Sequence, residues 1–218
     1  MDSKPVMDVS GWEAFVHGVF AIAVTLLVLD IRVPDVASID SGSALLRALF
    51  DEMPRYGAYV LGFLCLGTYW INVHRAMRML RGIDHGYIVI GLLFLMVIAA
   101  VPFVTALLAE YIGAGNGRDQ VALVVFTSWQ LVLSVLAHIS IRYAFYRRQL
   151  LVKASISEAS QRAWVRLTAL GPLIWLVALA TALLANGTIT LVLIAFVFAL
   201  FMFEVPIREE PGDVGAAQ

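Results

Sequence analysis

Charge is scarce in this chain: only 14% of its 218 residues are Asp, Glu, Lys or Arg, against about 25% in an ordinary soluble domain. Cysteine is nearly absent, and the one copy, Cys65, lies inside an apolar run, so no intrachain disulfide framework exists. An excess of one sign is also missing. Lys+Arg 15 against Asp+Glu 16 leaves a net charge of -1, which removes the electrostatic pull that nucleic-acid binding needs and argues against a nucleic-acid partner. No Asp, Glu, Lys or Arg falls in the central part of any long apolar run. A carboxylate or base at mid-bilayer costs about 2.5–3.5 kcal/mol and marks function where it occurs, so its absence counts against a proton-coupled exchanger. Paired carboxylates, a His–Glu metal pair and Ser–His or Cys–His sets at usable spacing are not found, which counts against an enzyme, intramembrane hydrolysis included.

What is abundant is hydrocarbon. Hydrophobic residues make up 61% of the chain and the mean hydropathy is +0.87, too little polar side chain to cover a surface in water. A helix needs about 20 mostly apolar residues to cross a bilayer, and six such runs can be read: roughly Ala14 to Val33, ended by Pro34; Pro54 to Met77; His85 to Tyr111 with Pro102 as a kink; Val121 to Tyr146; Arg162 to Ala185 with Pro172 inside; and, after a tight Asn186-Gly187 turn, a last run to about Glu204 and Pro206. A cleaved leader is the alternative for the first run, since Val36-Ala37-Ser38 is a tolerable cleavage site. Its flank, however, holds Lys4 against Asp2, Asp8 and Glu13, the wrong sign for such a leader.

With the N-terminus inside, eleven basic residues fall on inner segments and four (Arg32, Arg47, Arg55, Arg118) on outer ones, which predicts two cytoplasmic termini. The chain reads as one all-α, six-span transmembrane domain over 1–218, with 208–218 a disordered cytoplasmic tail and the stretch from Arg147 to Gln161 a helical extension of the fourth span. Asp35, Asp40, Asp51 and Glu52, between the first two spans, either solvate a loop or line a cation-attracting vestibule.

The polar side chains within the spans are few: His17 in the first; Trp70, Asn72 and His74 in the second; Ser134 and His138 in the fourth. At 1.5 Å per residue His17 and His138 both lie about 9 Å to the cytoplasmic side of their helix middles, and can share one layer. Either these groups only fix helix packing through hydrogen bonds, or histidine makes the inner mouth sensitive to pH. His74 and His85 flank the inner loop without a carboxylate or cysteine at ligand spacing, so no metal is expected there. Along the first span Ala14, Gly18, Ala21 and Thr25 form a small-residue stripe, and Ile22, Leu26 and Leu29 follow on a neighbouring face. In hydrocarbon such apolar periodicity alone carries no information about function.

Three segments carry more: GVFAIAVTLLVLDIRVP in the first span, GTYWINVHR at Gly67 to Arg75, and LLFLMVIAAVPFVTALLAEY at Leu92 to Tyr111. Together they resemble prokaryotic members of the transmembrane protein 175 family, lysosomal and endosomal potassium channels. The resemblance covers the first three spans; the last three agree in number and length. It implies six-span subunits assembled as a homotetramer around a pore lined by the first helix, without a Thr-Val-Gly-Tyr-Gly filter. Carried over, the bulky apolar constriction falls on Ile22, Leu26 and Leu29, with Thr25 beside it as a hydroxyl for a passing ion.

One signature departs. Where the family reads Arg-x-x-x-Phe-Ser-Asp, this chain has Gly11-Trp12-Glu13-Ala14-Phe15-Val16-His17, so only the phenylalanine survives. His17, in the aspartate position, is expected to turn to Trp70, Asn72 or His74 as an inner polar network. The resulting expectation is a passive, potassium-preferring cation channel in the plasma membrane, its partners being other copies of itself, the lipid bilayer and K+ as the permeant ion, with no cofactor. A secondary transporter, a proton-permeable pore and a non-conducting membrane scaffold are the alternatives.

Overall fold

The computed structural model of the chain describes residues 8–146, 152–153, 157–184 and 187–202. Its helices are α1 (Val9–Leu26), extended as a 3-10 turn over Leu27–Asp30; α2 (Gly42–Asp51); α3 (Met53–Arg78); α4 (His85–Ala99); α5 (Val101–Tyr111); α6 (Arg118–Tyr146); α7 (Glu158–Leu183); and α8 (Gly187–Met202). Among the described residues, four helical stretches are long and apolar enough to cross a membrane: Val9–Asp30, His85–Tyr111, Arg118–Tyr146 and Glu158–Leu183. The second and sixth expected spans are helices too, α3 and α8.

Local chemistry sets the ends. Ser41, Asp84 and Ser157 accept backbone N–H groups of Ala44, Tyr87 and Ser160 and so start α2, α4 and α7. Pro54 occupies the first turn of α3, where its missing N–H is harmless. Pro102 does the same for α5, and the third span breaks at Ala100 as its proline predicts. The break stays satisfied inside hydrocarbon because the Trp129 indole N–H donates to the Val97 carbonyl at 2.9 Å. After α5 the chain turns through Gly113, Gly115, Asn116 and Gly117, all at positive φ.

α1 packs on α3 and α4, α3 on α5, and α6 on α4 and α5, while the most extensive pairing joins α6 to α7. The core holds Cys65, Leu66, Ile98, Phe126, Leu133 and Trp175. Close approach depends most on glycine at Gly91 and Gly86: a Cβ on the first would overlap the Trp12 indole, and one on the second the Tyr143 hydroxyl.

Three sequence expectations change. α1 begins at Val9, a turn before Ala14, which brings Glu13 inside the helix. The connection between the first two spans contains α2, whose Leu46 and Phe50 are exposed. Residues 152–153 do not continue α6: Val152 forms an antiparallel bridge with Leu80, and the Lys153 N–H donates to the Met79 carbonyl, because an extended backbone there caps the chain leaving α3. The Asn186 turn, Lys4, Arg147, Arg148, the Glu204–Pro206 end and the 208–218 tail lie outside the described residues.

Candidate functional site

The first helix has two unlike faces. Trp12, Val16, Phe20, Ala23 and Leu27, spaced by three and four, are buried against the rest of the chain. On the opposite side Ile22 is 62%, Leu26 42% and Leu29 74% exposed. Thr25 is exposed beside them, its hydroxyl donating to the Ile22 carbonyl at 2.9 Å. Among the described residues, no helix covers this stripe. The small stripe shares that side: Ala14, Gly18 and Ala21 are exposed, and nothing lies within 4 Å of a Cβ built on Gly18. Its small residues therefore serve no close approach within the subunit.

The antiparallel run of α1 beside α3 places the N-terminal end of one against the C-terminal end of the other. Glu13 and His17 stand one turn apart on α1, with Glu13 Oε1 3.8 Å from His17 Nε2. From α3, His74 Nδ1 lies 3.1 Å from the same Glu13 oxygen. The Trp70 ring stacks on His74 at 5.7 Å and 12°, and the His17 ring lies 5.8 Å from Trp70 and 5.7 Å from His74. Three of the four residues of the expected inner network thus meet. Asn72 does not join them: its side-chain amide donates to the Thr68 carbonyl of its own helix, and it lines an apolar cavity with Tyr69, Ala137, Trp164 and Thr168. Two residues beyond Trp70, it points about 200° away around the helix. His138 does not meet the cluster either, since it pairs with Thr168 on α7 at 3.0 Å.

Sequence reading misses Glu13 as the partner of His74. The only local signal is its i, i+4 spacing to His17, and the third member comes from 61 residues away. Just before this cluster Asp8 accepts the Ser10 hydroxyl, a bond that holds its carboxyl below the usual range.

At the other end of α3, Arg55 is bracketed by Glu52 at 2.6 Å and Glu110 at 2.5 Å, and Arg32 approaches Glu110 at 3.8 Å. Glu52 is thus engaged with Arg55, and Asp35 accepts the Ala37 N–H. Both support the loop reading of the acidic segment over a vestibule.

Comparison with known proteins follows this geometry. Residues 12–102 match the family described as "Endosomal/lysosomal potassium channel TMEM175". A potassium channel of Streptomyces collinus is 42% identical over 125 residues, 57% of this chain and 57% of that protein. An endosomal/lysosomal proton channel TMEM175 of Gallus gallus is 33% identical over 104 residues, 45% of this chain and 21% of the other. The chain spans about half the length of the curated bacterial relatives it matches. In structure it is similar to a lysosomal potassium-selective channel TMEM175 homolog from Chamaesiphon minutus, with a TM-score of 0.77 and 28% identity, covering 89% of this chain and 96% of that one. The shared fold therefore extends well beyond residues 12–102, the part that matches the family.

Proposed function

We propose that this chain, whose residues 12–102 match the family described as "Endosomal/lysosomal potassium channel TMEM175", is a passive, potassium-preferring cation channel of the plasma membrane. Six helical spans per subunit, with both termini cytoplasmic, assemble as a homotetramer in the bilayer, and α1 from each copy lines the shared axis. The observation that carries this reading is the two-faced first helix: one side is locked to its own subunit, while Ile22, Leu26 and Leu29 stand outward with the small residues that let copies approach. Four copies of each side chain form a neck that water enters reluctantly, so conduction is governed by wetting and widening. Thr25 lies within the same stripe as a polar step, and a potassium ion sheds water more readily than sodium. K+ is the permeant ion, and the reading requires no cofactor and no chemistry on a bound substrate.

The test is flux from purified protein in liposomes with potassium, sodium and proton readouts. Wild type should pass K+ down its gradient without saturation, and Ile22→Asn, by lowering the desolvation barrier at the neck, should raise the current several-fold. Unchanged current in both Ile22→Asn and Leu26→Asn would move the constriction elsewhere. Coupled, saturating exchange would make the protein a carrier, and no flux of any ion would make it a scaffold. A proton-permeable pore is favoured by one finding, the proton-channel name carried by the Gallus gallus relative, and the proton readout separates it from the potassium reading.

A further inference from the structure

We propose that Glu13, His17 and His74 form a site for a divalent first-row transition cation of the zinc class, held between α1 and α3. Their ligand atoms all lie within 4.8 Å of one another. A tetrahedral ion with bonds of about 2.0–2.1 Å sets its ligands about 3.3 Å apart. Two of the separations here, 3.1 and 3.8 Å from the Glu13 oxygen to His74 Nδ1 and His17 Nε2, are already near that figure.

An independent observation points the same way. His17 Nε2 is buried and has no hydrogen-bond partner, although it is aimed at the Glu13 carboxylate. A buried nitrogen without a partner is costly, and a cation at the centre of the triangle satisfies it. Trp70 supports the geometry by stacking on His74, which fixes the plane of that ring.

The donor set selects the ion. Two neutral imidazoles and one carboxylate suit zinc and its neighbours, whereas calcium, magnesium and potassium favour all-oxygen shells. Three protein ligands leave a fourth position for water. The side chains of Glu13 and His74 are 29% and 39% exposed, so an ion can enter from their side, with the buried His17 Nε2 behind them. Bound there, it would pin the N-terminal end of α1 to the C-terminal end of α3. The site itself does not depend on the channel reading.

Calorimetric titration of the untagged full chain in detergent with Zn2+ tests this. Wild type should bind one ion per subunit. Glu13→Gln and His74→Gln should each weaken binding by at least about tenfold, whereas His85→Gln and His138→Gln, which alter the other two histidines, should leave it unchanged. Titration with Co2+ as a coloured substitute should give a visible absorption band in wild type that is lost in the isosteric Glu13→Gln, whose retained helicity shows that the fold survives. Absence of Zn2+ binding in wild type, or binding whose affinity survives both Glu13→Gln and His74→Gln, overturns the proposal.

Discussion

Single side chains decide how closely α1 can approach its neighbours. Trp12 lies 4% exposed against Gly91 of α4, where no methyl group fits. Gly91→Ala should therefore push the indole, and α1 with it, off the bundle, at about 1–3 kcal/mol in stability. Thermal unfolding in detergent reads this as a lowered midpoint, and an unchanged midpoint would mean that α1 yields without cost. Gly57→Ala on α3 is the natural control, because a Cβ there meets nothing within 4 Å. Both glycines are visible in the sequence, but their difference is not: position along a helix says nothing about which residue faces a neighbour when the surroundings are hydrocarbon on every side. The Glu13–His74 contact was hidden for a related reason, since it joins two helices through a tertiary crossing that no local spacing encodes.

At the scale of elements, the third span shows how a broken helix survives in a membrane. The proline at 102 was readable as a kink, and the break falls at Ala100, two residues before it. What the sequence did not reveal is that Trp129 on α6 gives the Val97 carbonyl a second donor at 2.9 Å, beside the Ala100 N–H at 3.3 Å. Trp129→Phe keeps the ring but removes the N–H, and should cost about 1 kcal/mol, seen as a lower unfolding midpoint together with faster amide exchange around residues 97–101. Equal exchange in both proteins would show that water or local 3-10 bonding does the work instead. α2 was missed because its ten residues are too few to register as a span, and the acidic residues around it read as solvated loop.

For the whole molecule, the proposed tetramer gives the outward side of α1 a partner other than lipid. Among the described residues, no helix packs on Ile22, Leu26 and Leu29, and closed cyclic symmetry is an ordinary way to give such a face a partner. Native mass spectrometry of detergent-extracted protein should therefore give four subunits; a monomer would leave no axis for the first helix to surround. The sequence by itself determined that the chain lives in a membrane, how many apolar runs it has, roughly where the helices of the first five runs lie, and which family the first three spans resemble. These follow from local composition, because transfer from water to hydrocarbon depends on each segment alone. Tertiary structure decided which face of α1 is packed and which is free, that Asn72 and His138 stand apart from His17, and that a carboxylate meets two imidazoles across α1 and α3. Lipid is as apolar as the protein interior, so periodicity cannot tell buried from bare, and only the crossing of helices assigns the partners.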